Sequence, residues 1–305
     1  MRKRMHAFRF FVNKICRICL YYIDTPKTSR IYLSLLYERV FGKKPDLDKP
    51  VSFNEKIQWM KLNDHEFKYH IFADKIAVKK YISKKLNSNI LIRTYGVYNS
   101  YDDINFDELP DSFVLKCSHD SGSVVICEDK RQLNHEKTKK KLNRALKRNQ
   151  YLQGREWAYK GIRPKIICEE LLRDEDGELP KDYKVYCFNG NPKYIAVFYN
   201  RFHRGGAEHV EGVYDTEWTK QEFSFDWNWG IADFTENRPE KLEEMLKYAR
   251  CLSRGMMQSR IDFYLVNNRV YFGEITLYTA GGFSGTVPDD MDEKLGKMIR
   301  TQTYE

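Results

Sequence analysis

An α+β fold built on antiparallel sheets is predicted for this 305-residue chain by three features. Two pairs of strand-like runs are joined by turn dipeptides. Asp182–Phe188 meets Tyr194–Tyr199 near Asn189-Gly190, and Arg260–Val266 meets Arg269–Thr276 at Asn267-Asn268. Asn and Gly tolerate the left-handed backbone that tight hairpins need. The apolar runs do not alternate with helices, as they would in a doubly wound βα chain. Finally, 42% hydrophobic and 14% aromatic residues supply a core and argue against disorder.

Taken in order, residues 1–50 read as a basic amphipathic helical region ending near Pro45 and Pro50, and residues 51–305 as the main domain. Phe8, Phe11, Val12, Ile15, Ile18, Cys19 and Tyr22 recur on one helical face, and no acid precedes Asp24. Such a helix suits an anionic membrane surface; a helix packed on the body with its basic face in water is the alternative. Ser52-Phe-Asn-Glu55 is a capping box that opens a helix through Leu62. A second helix is predicted over Ala73–Lys85, stopped by Asn87-Ser-Asn89. Strands follow at Ile90–Tyr98, Ser112–Cys117, Ser123–Cys127 and Lys165–Leu172, with a basic helix over Lys130–Gln150. Pro239–Gln258 is helical, and Gly281, Gly282 and Gly285 mark a mobile loop.

The formal charge of +9 is concentrated in two places. Residues 1–50 and 130–150 each carry +8, so the remainder is mildly acidic. The second segment is a solvated face or a seat for a polyanion. No nucleic-acid fold motif accompanies it, so nucleic acid is not the expected partner. Seven Cys, an odd number, argue against a secreted disulfide framework and a zinc ribbon. The longest early apolar run, Ile18 to Ile23, is six residues, too short for a signal or a span. A reducing, cytoplasmic setting is expected, with the protein free or peripheral on the inner face of the membrane.

Chemistry concentrates in three stretches. In the last hairpin, a period of two puts Arg260 and Asp262 on one face and Glu274 and Thr276 on the facing one. Two close carboxylates call for a cation, and hard oxygen ligands suit Mg²⁺ bound together with phosphates; surface ion pairing with Arg260 or Arg269 is the bland reading. Lys116 ends an apolar strand ahead of the small polar loop Ser118–Ser123, with Ser121, Gly122 and Ser123 at its far end. Backbone amides there can approach phosphate oxygens, although the loop matches no P-loop pattern. Glu169-Glu170-Leu-Leu172 closes a buried strand, and Asp182-Tyr-Lys184-Val opens the next. The tryptophans 218, 227 and 229 are packing residues or an aromatic platform for a sugar.

The order of these pieces, with Arg201 between the last two hairpins, resembles the ATP-grasp superfamily. It is most similar to the TupA-like branch, found with bacterial polysaccharide biosynthesis genes. Phe53-Asn-Glu-Lys-Ile57, Ala73-Asp-Lys75, Gly154-Arg-Glu-Trp157 and Arg260-Ile-Asp-Phe-Tyr264 match stretches of that branch, and the likeness covers about residues 50–285. The resemblance implies two α+β subdomains clamping ATP and an ATP-dependent carboxylate–amine ligase. Its expected partners are a carboxylate-bearing sugar or polysaccharide precursor and an amine. A glycan kinase or a glycosyltransferase of the same pathway is the alternative, the latter needing a D-x-D motif such as Asp46-Leu-Asp48 or Asp174-Glu-Asp176.

By the same resemblance, Lys75 and Lys116 hold ATP phosphates, with Ser118–Ser123 as a flexible loop closing over them. Glu169 receives the adenine N6 hydrogens, the Leu172 backbone reads the ring edge, and Ile167 and Leu171 line the ring's slot. Asp182, Lys184 and Arg201 lie near ribose and phosphates. Asp262 and Glu274 are Mg²⁺ ligands, and Arg260 stabilises the negative charge of the reacting centre. Thr276 stands where the family usually carries a metal-binding Asn, and the usual N-terminal substrate domain is replaced by the basic helical region.

Overall fold

The computed structural model of the chain describes residues 18–86, 88–199 and 209–301. The predicted face over residues 8–22 therefore lies mostly outside the described residues, and so does Arg201. Among the described residues no helix is long and apolar enough to cross a membrane.

Helix α1 (Pro26–Phe41) begins where Thr25 caps the Thr28 amide and Pro26 occupies the first turn, which spends no N–H there. It ends at Gly42 in the left-handed region, φ 72°, short of the predicted Pro45. Leu33 and Tyr37 are fully buried, and Phe41 meets Trp227 ring to ring at 5.5 Å. Residues 26–41 thus belong to the packed body, and residue 50 marks no break in packing.

Helix α2 (Phe53–Asn63) carries the predicted capping box: Ser52 Oγ accepts from the Glu55 amide, and Glu55 accepts from the Ser52 amide. Phe53, Ile57 and Met60 enter the core, while buried Gln58 and Lys61 donate to the carbonyls of Gly281 and Gly282. A Cβ on Gly282 would lie 2.8 Å from Ile57 Cβ, and its φ is +64°. The predicted mobile loop is therefore a packed turn that only glycine fits.

The single helix expected over Ala73–Lys85 is two, α3 (Lys68–Ala73) and α4 (Ala77–Lys85). Asp74 breaks it: its backbone is extended and its Oδ1 accepts from the Ile76 amide. Lys75 is left at the joint.

A four-stranded antiparallel sheet contains β1 (Thr94–Tyr98), β2 (Phe113–Cys117), β3 (Val125–Cys127) and β4 (Ile166–Glu169) in the order β1-β4-β2-β3. The outer strands are shorter than predicted, with a 3₁₀ turn over Ser88–Ile90 ahead of β1. Helix α5 (His135–Leu146) covers this sheet, burying Thr138, Leu142 and Ala145 and leaving Lys137, Lys139, Lys140 and Lys141 in water. It is shorter than Lys130–Gln150 because Asn134 caps it and residues 130–132 form a 3₁₀ turn. The short helix α6 (Gln150–Gly154) follows and ends at Arg155, φ 54°.

The larger sheet holds β5 (Asp182–Phe188), β6 (Asn191–Tyr199), β7 (Val210–Asp215), β8 (Lys220–Gln221), β9 (Gly230–Ile231), β10 (Gln258–Val266) and β11 (Arg269–Thr276). Its order is β11-β10-β5-β6-β7-β8, with β9 parallel to β7. Both predicted turns are left-handed, with φ of 49° and 77° at Asn189-Gly190 and 48° and 56° at Asn267-Asn268. Helix α7 (Leu242–Leu252) packs on the sheet through Leu242, Met245, Leu246, Ala249 and Leu252, at helical spacing. It stops well before the predicted Gln258, because Gly255 turns left-handed and Gln258 already opens β10. Helix α8 (Met291–Met298) closes the chain against α2.

Candidate active site

Strand register builds the floor of the site. On adjacent strands Lys184 pairs with Asp262, and Asp262 with Glu274. The next row is Tyr186, Arg260 and Thr276. Side chains two residues apart share a face, so these rows assemble the cluster predicted for the last hairpin. Arg260 Nε and Nη2 donate to Asp262 Oδ1 and Oδ2, both at 2.7 Å, and Nη2 reaches Glu274 Oε1 at 2.8 Å and Thr276 Oγ1 at 3.1 Å. Lys184 Nζ bridges Asp182 Oδ2 at 2.6 Å and Asp262 Oδ2 at 2.8 Å. Burial opposes charge on Glu274, but Arg260, Lys75 and Lys184 hold its carboxyl well below the usual range. A β-bulge follows Asp262, opposite Gly273, where a Cβ would lie 3.0 Å from the Asp262 carbonyl oxygen.

Between the two sheets lies a narrow slot of about 120 Å³, lined by Ile92, Val114, Ile126, Leu171, Leu172 and Tyr264, with Glu169 and Lys116 at its polar side. Ile167, predicted to line it, is fully buried elsewhere. Glu169 was expected to face adenine. Its Oε1 holds Lys79 and its Oε2 holds Lys116, each at 2.5 Å. Burial opposes its charge, yet the two lysines lower its pKa. Each oxygen keeps a second lone pair, and Glu169 still lines the slot.

The loop after β2 is anchored at both ends rather than free along its length. Lys75 N–H donates to Ser118 O at 3.0 Å, and its ammonium is bonded to Asp120 O. Ser123 Oγ donates to Asp120 Oδ1 at 2.6 Å and accepts from the Cys117 amide at 2.8 Å. Ser121 and Gly122 form the exposed tip. His119 is buried, with Nε2 3.1 Å from Arg148 O, and burial lowers its pKa. Burial likewise lowers that of Lys75, aided by Lys116.

A second cavity, about 740 Å³, runs from Ser121, Lys184, Arg260, Glu274 and Thr276 toward α1 and α6. Its far wall includes Arg39, Glu156, Tyr159, Asp226 and Trp229, so of the three tryptophans Trp229 reaches the cleft. Trp218 is buried against Tyr214, centroids 4.2 Å apart. Sequence reasoning missed Lys79, Arg39, Glu156 and Tyr159. Lys79 stands four residues after Lys75, one helical turn, and Glu156 stands inside the Gly154–Trp157 stretch.

Among the described residues no three His, Cys, Asp or Glu cluster as a metal site. Both Asp262 oxygens already accept from cations, and Glu274 uses Oε1 for Arg260 and Thr276. This donor set fits a Mg²⁺ that arrives with its triphosphate, because such an ion needs only one or two protein carboxylates.

Several solved structures are similar to this chain. A D-alanine–D-alanine ligase from Bacillus anthracis complexed with ATP is 18% identical, with a TM-score of 0.43, covering 75% of this chain and 65% of its own. The D-alanyl-alanine synthetase A from Vibrio cholerae is 14% identical, with a TM-score of 0.39, over 68% of this chain and 55% of its own. A RimK domain ATP-grasp protein from Sphaerobacter thermophilus is 12% identical, with a TM-score of 0.41, over 83% and 72%. The chain thus spans less than two thirds of the length of the first two. No curated protein matches the sequence. The family described as TupA-like ATPgrasp matches residues 55–300, most of the sequence, and the chain belongs to that family.

Proposed function

We propose that this ATP-grasp ligase joins a carboxylate to an amine through an acyl phosphate, releasing ADP and phosphate. The observation that carries the reading is the Arg260 fork, which gathers Asp262, Glu274 and Thr276 at one end of the large cavity. A guanidinium held by carboxylates in a partly closed cleft is preorganised for charge on a transferring phosphoryl group and on a tetrahedral adduct. Lys75, Lys116, Lys184 and Arg201 are assigned to phosphate, Leu172 and Glu169 to the base, Asp182 to ribose, and Asp262, Glu274 and Thr276 to Mg²⁺. Ser121, Gly122 and Ser123 cover the phosphates.

The acceptor is a carboxylate-bearing sugar of a surface polysaccharide precursor, such as a uronic acid, and the nucleophile an amino acid or amine. Cavity size and the aromatic wall of Tyr186, Phe198, Phe225 and Trp229 support a sugar. A cytoplasmic protein resting on the inner membrane face is supported by exposed Ile18, Tyr22 and Ile23, next to the basic N-terminal stretch. The D-x-D stretches favour a glycosyltransferase less, since Asp46 Oδ1 accepts from the amides of Asp48 and Lys49, an ordinary turn.

The test is ADP release from ATP and Mg²⁺ with a panel of uronic acids and amino acids. Production that depends on both a carboxylate and an amine supports the ligase. ADP release with a sugar and no amine indicates a kinase instead.

A further inference from the structure

We infer that Glu156 is the seat of the amine: it binds the incoming ammonium and takes one of its protons. The inference rests on the ligase reading and assigns a group that the family resemblance leaves without a role. Three carboxylates line the large cavity. Asp226 Oδ1 accepts from Asn228 and from Ser284 Oγ at 2.7 Å, and Glu274 accepts from Arg260 and Thr276. The Glu156 carboxylate accepts no hydrogen bond among the described residues, and it is turned into the cleft.

Its position is built rather than incidental. A Cβ on Gly154 would lie 2.9 Å from Glu156 Oε1, so that glycine leaves room for the carboxylate as it stands, and left-handed Gly281 borders it on another side. The nearby cation, Lys61, gives two of its three ammonium hydrogens to Gln58 Oε1 at 3.0 Å and Gly281 O at 2.6 Å, and none to the Glu156 carboxylate, on which it acts through charge alone. Tyr159 stands between them, acted on by Glu156 on one side and by Glu274 and Arg260 on the other, and all four line the same cavity. Burial raises the Glu156 pKa against the pull of Lys61, as suits a proton acceptor.

The chemistry balances. An ammonium pairs with Glu156 and gives it one proton. The neutral nitrogen attacks the acyl carbon, and an N–C bond forms. The C–O bond to phosphate then breaks with its electron pair, and the departing phosphate takes the second nitrogen proton. Amide and hydrogen phosphate result, and Glu156 returns its proton to water.

The test compares wild type with Glu156→Gln, using ATP, Mg²⁺ and a uronate panel led by D-glucuronate. Two kinds of nucleophile are offered: cationic amines (amino acids and ethanolamine) and hydroxylamine, which is neutral near pH 7.5 and traps acyl phosphates as hydroxamates. We expect the ratio of kcat/KM for amine over hydroxylamine to fall roughly tenfold or more in Glu156→Gln, mainly through the KM for amine. The acid limb of the amine pH profile should move as well. A ratio unchanged from wild type, whether both rates fall together or neither does, overturns the inference. So does a wild type that makes hydroxamate but no amide with any amine. A wild type making neither overturns the ligase reading itself. If Glu156→Gln shows no ATP-induced rise in Tm, Glu156→Asp is read by the same ratio.

Discussion

Lys116 and Glu169, on neighbouring strands of the small sheet, hold their charges 2.5 Å apart, and Lys79 closes on the other Glu169 oxygen at the same distance. A buried carboxylate with two ammonium groups is a charge store. Removing the carboxylate leaves two like charges together, whereas removing one lysine leaves a pair.

Glu169→Gln should therefore destabilise the fold more than Lys116→Met, by about 1–3 kcal/mol in urea denaturation, since both lysines keep some solvent contact. The sign with pH follows from the depressed Glu169 pKa. Its stabilisation is complete above the unfolded value of about 4.5 and is lost as pH falls through the lower folded value. Wild type should lose stability on acidification below that point, and Glu169→Gln should show a shallower loss. Equal slopes would remove the ion pair from the account.

Lys75 is the reverse case, a half-buried ammonium bonded to the Asp120 carbonyl, with desolvation lowering its pKa. Lys75→Met keeps the length and removes the desolvated charge, so its Tm without nucleotide should match or exceed that of wild type. Its ATP-induced rise in Tm should shrink, as for a roughly tenfold loss of affinity. A variant that keeps the full rise would take Lys75 away from the phosphates.

Much of this was legible in the sequence because it is local. The two left-handed turns and the Ser52–Glu55 box depend on residues within a few positions, and period two puts Arg260 with Asp262 and Glu274 with Thr276; setting those pairs opposite one another takes the β-bulge after Asp262, since an unbroken hairpin would pair Asp262 with Gly273. Strands β7 to β9 escaped notice because buried Glu211 and Gly212 interrupt the apolar pattern. Glu211 is tolerated there by Ser224 Oγ at 2.5 Å and the Phe225 amide at 2.8 Å, contacts that no local pattern announces. The lysine pair on Glu169 was hidden for the same reason. Lys79 lies 90 residues earlier in the chain than Glu169, and only the fold brings them together.

Arg260 differs from Lys184 in geometry rather than in charge. Its fork reaches both Asp262 oxygens, Glu274 and Thr276, and a lysine ammonium cannot span that set. Arg260→Lys should keep most of the ATP-induced rise in Tm while ADP release falls about a hundredfold. A variant that loses nucleotide binding in proportion to turnover would instead make Arg260 a ground-state ligand.

Thr276 donates to Glu274 Oε1 at 2.9 Å and lines the open cavity, so a longer side chain there meets space rather than packing. An Asn carbonyl is a better ligand for a hard cation than a hydroxyl. Thr276→Asn should therefore lower the Mg²⁺ concentration for half-maximal ADP release by roughly threefold or more, as about 0.7 kcal/mol of added binding gives. The rate at saturating Mg²⁺ should change little. Thr276→Val removes the donor to Glu274 without supplying an oxygen, and its half-saturation should move the other way. If both variants track wild type across a magnesium titration, the ion does not sit beside Thr276, and Glu274 is left as a partner of Arg260 alone.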